Sequence, residues 1–267
     1  MMQRELDKMV EWAERSRMEF NVEKCKVMHV GGRNRGFKYK MAGQDLGETE
    51  LGKDLGVLVS DNLKPSAHCS KAAKKANAVL GQITRAFHYR TKHVLAKLFK
   101  AFVRPVLEYA VAVWSPWTEG DCEVLEKVQK RAIRMMCDVR GATYEEKLKD
   151  AGLMLLKERR LRGDMIEVFK VVKGINKVNR EEWFEMVEEG QRRKSQNMVE
   201  NNEGEVEHRQ DVIKKERFHL EVRKNFFTVR VADCWNNLPE YVKSATNVNM
   251  FKGRIDEHLK NNSLTSQ

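Results

Sequence analysis

Between residues 63 and 107 there is neither an aspartate nor a glutamate, although charged residues make up 33% of the chain. Other scarcities narrow the reading further. Cys25, Cys69, Cys122, Cys137 and Cys234 are far apart and form no Cys-x-x-Cys pair. That argues against a zinc site and reads as reduced thiols in a protein of the nucleus or cytoplasm. Only four prolines occur, which suits a helix-rich chain. No run of eighteen apolar residues is present, so no membrane span is expected, and "MMQRELDKMVEW" at the start is too charged for a secretory signal.

What fills the acid-free stretch is positive charge: Lys64, Lys71, Lys74, Lys75, Arg85, Arg90, Lys92, Lys97, Lys100 and Arg104, with His68, His88 and His93. The whole chain carries a net charge of +11. Such a balance favours a polyanionic partner, because cations that neutralise phosphates release condensed counterions. Two alternatives stand beside that one. The basic face is simply solvated, or it lies on an anionic membrane; the absence of interfacial Trp from the apolar stripe weighs against the membrane.

The periodicities predict a mainly α chain with a small N-terminal antiparallel β element. A helix is expected from Met1 to about Arg17, with Leu6, Met9, Val10 and Ala13 on one side. Its start has no capping residue, which suggests that a segment precedes it. "KCKVMHV" at Lys24 and "FKYKM" at Phe37 read as a hairpin around "GGRNRG", and "DLGVLVS" at Asp54 as a third strand. From Ser66, the residues Ala72, Ala73, Ala76, Val79, Leu80, Ile83 and Phe87 trace a helical stripe. Thr91 is placed to cap a second helix, Pro105 to kink or end it, and "VLEYAVAVW" to continue it as a buried segment. Further helices are expected after Thr118 or Asp121, after the Thr143/Glu146 capping box, and over residues 156–173. Two more follow in the C-terminal part, with Asn247 capping the last. The domain limits read as 1–62, a basic helical region 63–175, a polar linker 176–211, and a helical region 212–267.

Catalytic constellations are weak. His88 and His93 are five apart, a poor fit to one helix face for a metal. Ser66, His68 and Cys69 show no spacing that identifies a base. "GGRNRG" lacks the Gly-Lys-Ser/Thr ending of a phosphate loop. Asp7, Asp45, Asp54 and Asp61 stand singly among basic or turn residues. Trp114, Trp117 and Trp235 read as packing anchors, with Trp117 the one candidate for base stacking.

Several longer stretches, in order, carry a resemblance. They are "FNVEKCKVMHVG" at Phe20, "KDLGVLVSDNLKPSAHCSKAAKKANAVLGQI" at Lys53 and "LFKAFVRPVLEYAVAVWSPW" at Leu98. "LEKVQKRAIRMM" at Leu125, "LKERRLRGDMIEVFKVVKG" at Leu156 and "VRKNFFTVRVADCWNNLPEYV" at Val222 continue them. Together they resemble the C-terminal portion of non-LTR (LINE, jockey-like) retrotransposon reverse transcriptases. The resemblance implies a palm remnant at 1–62, with Lys24 matching a lysine near the incoming nucleotide and Lys53 opening a primer-grip-like hairpin. It implies a thumb in the acid-free helices that holds the primer–template duplex, and a helical C-terminal region beyond it.

Intact enzymes of that family use two Mg ions held by an aromatic-Ala-Asp-Asp hairpin, and nucleotidyl transfer needs such carboxylates. This sequence contains no Asp-Asp pair. The expectation is therefore a chain without cofactor that does not polymerise alone and retains sequence-tolerant binding of RNA or an RNA–DNA duplex. Lys71, Lys74, Lys75, Arg85, Lys92 and Lys97 would contact phosphates, with Lys24 and Lys53 near a former active site. The rival expectations are a non-enzymatic helical interaction protein whose basic face docks an acidic partner, and the inert product of a decayed element.

Overall fold

Helix α1 (Met2–Arg15) opens the chain and turns Ala13 inward, with Leu6 and Val10 half-buried. In the computed structural model, residues 1–32, 34–87, 91–136, 141–187 and 211–264 are described. They are mainly α-helical with small β elements, and they fall into two compact units, Met1–Ala72 and Ala73–Gln267.

The first unit holds α1 and three two-stranded ladders. Strands β2 (Lys40–Met41) and β3 (Gln44–Asp45) pair antiparallel, as do β5 (Leu51–Asp54) and β6 (Val57–Ser60). Strand β1 (Lys26–Val27) pairs in parallel with β4 (Gly47–Glu48). The expected hairpin between residues 24–30 and 37–41 does not form. Instead Met41 turns straight back on Gln44 through Ala42 and Gly43, at φ 49° and 77°. Two consecutive positive φ values make the tight turn whose twist suits a hairpin. Closing a two-residue loop also costs less chain entropy than closing the longer Gly-containing one. Leu55 and Gly56 make the same kind of turn between β5 and β6, at φ 43° and 93°.

Side-chain hydrogen bonds then tie two of these short ladders to the neighbouring helices. The Gln3 amide donates to the Lys40 carbonyl at 2.8 Å and accepts from the Lys40 N–H at 2.9 Å, so α1 pairs with the edge of β2. The Leu58 N–H on β6 donates to His68 Nδ1 at 3.0 Å. His68 is buried in the first turns of α2 (Ser66–Ala86). Burial, and then the Lys71 ammonium, hold the His68 pKa below its ordinary value of 6.5. The ring is thus neutral and its Nδ1 accepts.

The second unit is helical. Thr91 caps α3 (Lys92–Leu98) by accepting from the Val94 N–H. Pro105 does not end this helix. A π-helical turn over Phe99–Val103 carries the chain into α4 (Arg104–Glu108), with Pro105 in its first turn. There the missing N–H costs least. The expected buried continuation breaks at Ala110, whose φ is 51°, and resumes as α5 (Val111–Trp114). Val113 is exposed, and of that last turn only Trp114 enters the interior. Thr118 starts α6 (Glu119–Met136), accepting from the Asp121 N–H. The Thr143/Glu146 capping box starts α7 (Tyr144–Asp150).

Helix α8 (Leu156–Val172) is the spine of this unit and buries residues on most of its circumference. Against it lie α9 (Arg180–Trp183), α11 (Phe227–Asn236) and α13 (Val248–Leu264). Two further short helices, α10 (Glu221–Lys224) and α12 (Glu240–Lys243), complete the C-terminal part. Phe169 stacks on Phe251 with ring centroids 4.3 Å apart, and Trp235 is fully buried beside them. Asn247 caps α13 as expected, accepting from the Met250 N–H. Of the polar stretch 176–211, residues 188–210 lie outside the described residues. Its first part holds α9 and the buried Phe184, and Met186 bridges Ile213.

Ion pairs fasten the spine. Arg159 grips Glu108 with two nitrogens, and Arg162 grips Asp256 in the same way. The buried Asp164 receives Arg230 Nε and Nη2, each at 3.0 Å. Arg230 also donates to the Ala112 and Asn225 carbonyls, so one guanidinium joins α5, α8 and α11. Burial raises the Asp164 pKa in spite of Arg230. The pair is therefore a fastening rather than a large net gain, and its weakness lies in losing one partner.

Two outcomes follow for denaturation experiments. Arg230→Ala should cost about 3–5 kcal/mol by leaving Asp164 buried and unpaired, while the double change to Asp164→Leu and Arg230→Met recovers most of that loss. For His68, the unfolded chain binds more protons below about pH 6.5, because the folded pKa is depressed. The first unit should therefore lose stability as pH falls below that point, and a urea midpoint series should show His68→Gln removing that part of the slope.

Candidate nucleic-acid interface

Helix α2 owes its formation to alanines on one side and its exposure to lysines on the other. Cys69, Ala72, Ala73, Ala76, Leu80 and Ile83 are buried. Lys74, Lys75, Ala78, Gln82 and Arg85 are exposed, and Lys71 is half-buried. Lys71, Lys74, Lys75, Ala78, Gln82 and Arg85 recur at helical spacing and share one face. From Lys71 to Arg85 that face runs about 21 Å along the axis, at 1.5 Å per residue. Among the described residues, no carboxylate stands within ion-pair distance of Lys71, Lys74, Lys75 or Arg85. Ala78 and Gly81 keep the face flat, and a Cβ at Gly81 would meet only Arg85 Nη1, at 3.9 Å.

The next two expected contacts behave differently. Lys97 is exposed on α3, but Lys92 binds Asp150 at 2.5 Å. Lys92, His93, Lys97 and Lys100 converge with Asp150 and Ala151 around a shallow cleft at the C-terminal end of α7. His93 and Lys100 belong to the acid-free segment and are not among the expected phosphate contacts. What gathers them is the close approach of α3 to α7, which spacing along the chain does not reveal. Arg104 is part of the scaffold: burial and the neighbouring Arg159 lower its pKa, and Glu108 lies 4.0 Å away. His88 and Arg90 lie outside the described residues.

In the first unit, Lys53 is exposed on β5 and Lys24 is exposed after Asn21, whose side chain accepts from the Lys24 N–H. The four aspartates there stand apart in their bonding. Asp7 accepts from Gln3, Asp45 faces Lys40 at 3.7 Å, and Asp61 accepts from the Asn62 N–H. Asp54 is exposed on β5. Among the described residues no group of three His, Cys, Asp or Glu is placed to hold a metal ion. This donor set does not fit a two-metal centre, which needs carboxylates converging on one point. Trp114 and Trp235 are buried, donating from Nε1 to the Tyr109 and Asp211 carbonyls, each at 2.7 Å. Trp117 is half-buried.

Chemically, the surface offers fixed positive charge on a flat helix face and no reacting pair. It suits a ligand that presents a row of anions. Among the described residues no helix is long and apolar enough to cross a membrane.

The chain matches no protein-family model and no solved structure. It is similar to an uncharacterized protein of Caenorhabditis elegans, with 23% identity over 111 residues, covering 40% of this chain. The matched part spans about half of that relative, 56% of its length.

The Lys92–Asp150 contact gives a direct test. A partly exposed pair of this kind is worth about 0.2–1 kcal/mol. Asp150→Asn should leave stability nearly unchanged and strengthen heparin binding about two- to fivefold at low salt, as measured by affinity-column elution or titration. Unchanged heparin affinity would show that Lys92 takes no part in anion binding.

Proposed function

We propose that this chain derives from the C-terminal part of a non-LTR retrotransposon reverse transcriptase and binds RNA or an RNA–DNA duplex without reading its sequence. The supporting observation is the α2 face, on which Lys71, Lys74, Lys75 and Arg85 stand with no carboxylate beside them among the described residues. Lysine and arginine on a smooth helix face contact phosphates and sugars, which position a duplex but do not discriminate bases. Lys92 and Lys97 extend the same function onto α3, Lys92 once it leaves Asp150. The hairpin of β5 and β6 carries the exposed Lys53, which the resemblance matches to the opening of a primer-grip-like element.

In this reading the chain performs no polymerase chemistry by itself. Its sequence has no Asp-Asp pair. The aspartates of the first unit are bonded singly to neighbouring donors or stand exposed in a strand. Residues 1–62 are the palm-like remnant of a catalytic body, the basic helices are thumb-like, and the C-terminal helices pack on α8. The function that remains is electrostatic retention of a nucleic-acid backbone.

Titration of an RNA–DNA hybrid at stepped salt tests this. Five or six phosphate contacts give a log–log slope of about −4 to −5. Changing Lys71, Lys74 and Lys75 together to Glu should make the slope shallower by about three and weaken all sequences alike. Affinity that ignores salt, or a triple variant that binds as the parent does, would contradict the proposal. Tight binding of an acidic protein that heparin fails to displace would favour a protein-docking face instead.

A further inference from the structure

The charge of α6 is divided along its length. Glu119, Asp121, Glu123 and Glu126 come first along it, and Lys127, Lys130, Arg131 and Arg134 follow toward its C-terminal end. A helix favours this order, since acids suit its N-terminal pole and cations its C-terminal pole. The acid closest to the cations is not available to them. Glu126 is turned inward, where it accepts from the Tyr144 hydroxyl, from Gln129 Nε2 at 2.9 Å and from the Leu156 N–H at 3.1 Å. Burial and that contact with Glu126 push the Tyr144 pKa upward, so the hydroxyl stays protonated and keeps donating. Glu123 is shared at long range between Lys127, at 3.9 Å, and Lys130, at 4.0 Å. Arg131 and Arg134 are exposed and have no carboxylate within ion-pair distance among the described residues.

One of these cations is joined to α2 beside its basic face. Arg131 Nη1 donates to Asn77 Oδ1 of α2 at 3.1 Å. Asn77 lies on α2 between Lys74, three residues before it, and Gly81, four residues after it, where Arg85 folds back. On α6, Lys127, Arg131 and Arg134 recur at four- and three-residue spacing and so form a second row.

We infer that Lys127, Arg131 and Arg134 of α6 are a second set of phosphate contacts beside Lys74 and Arg85 of α2, and that the two rows together select a double helix over a single strand. This rests on the proposed binding function and names its substrate class. One row follows one backbone and holds a single strand as well as a duplex. Two rows on two helices engage two backbones at once. A-form and hybrid helices expose both backbones across a wide, shallow minor groove, which a flat surface of this kind meets without an inserted element.

The test compares Arg131→Gln/Arg134→Gln with the parent chain, using a hairpin hybrid and a single strand of equal length. Loss of two contacts should weaken the duplex on the order of tenfold and make its salt slope shallower by about two. The single strand should change by less than about twofold. Equal losses on both ligands, a loss confined to the single strand, or no loss would each overturn the inference. A parallel Lys74→Glu/Lys75→Glu variant separates the two levels. If it weakens both ligands while the arginine variant weakens neither, the α6 row is wrong and the α2 reading stands; if no variant weakens either ligand, both fall. Should loss of the Asn77 contact disturb the helix, as read by its circular dichroism and melting, Lys127→Gln/Arg134→Gln keeps Arg131 in place. It must show the same duplex-selective loss.

Discussion

The second unit depends on where its carboxylates go. Glu108, Asp164 and Asp256 are drawn against Arg159, Arg230 and Arg162 along the α8 spine, and Glu126 is drawn inward by Tyr144 and the Leu156 N–H. Acids placed at these internal joints are not available at the surface. The outer faces of α2 and of the end of α6 are left with lysine and arginine, and repulsion among them goes unrelieved unless solvent, salt or a ligand supplies anions. The same interactions that fix the helices thus create the surface that points to a polyanion.

Arg230 shows how closely fold and surface are connected. Its guanidinium meets a buried carboxylate and two backbone carbonyls from different parts of the chain. A lysine has the charge but not the planar fork that reaches all of them. The cost of burying Asp164 is visible in its raised pKa. Such a pair adds little net stability over apolar residues, yet it fixes how α5, α8 and α11 meet. In the first unit the corresponding fastening is smaller: one imidazole of α2 accepting a strand N–H from β6.

Local signals in the sequence read well. Thr91, the Thr143/Glu146 box and Asn247 cap the helices they were expected to cap, because a cap is decided within four residues. The alanine stripe of α2 is buried as its spacing foretold, except that Val79 is half-buried and Phe87, at its end, is exposed. Partnerships over longer range were not legible. The strand at residues 26–27 found a parallel partner at 47–48 rather than the hairpin partner its alternation suggested. Pro105 was absorbed by a π turn. Arg159 and Arg162 meet Glu108 and Asp256, partners far away in the chain that no local spacing indicates. On α6 the acids and the cations are equal in number and separated along the helix. The inward turn of Glu126 and the contact of Arg131 with Asn77 are partnerships that no local spacing indicates.

The central claim is that nucleic acid lies along the α2 face, and lysine-modification footprinting with and without an RNA–DNA duplex tests it most directly. Lys74 and Lys75 should be strongly protected by the duplex at low salt and regain reactivity as salt rises, while Lys157 and Lys177, exposed elsewhere, stay reactive throughout. Protection spread evenly over all exposed lysines, or confined to residues outside α2, would contradict the account.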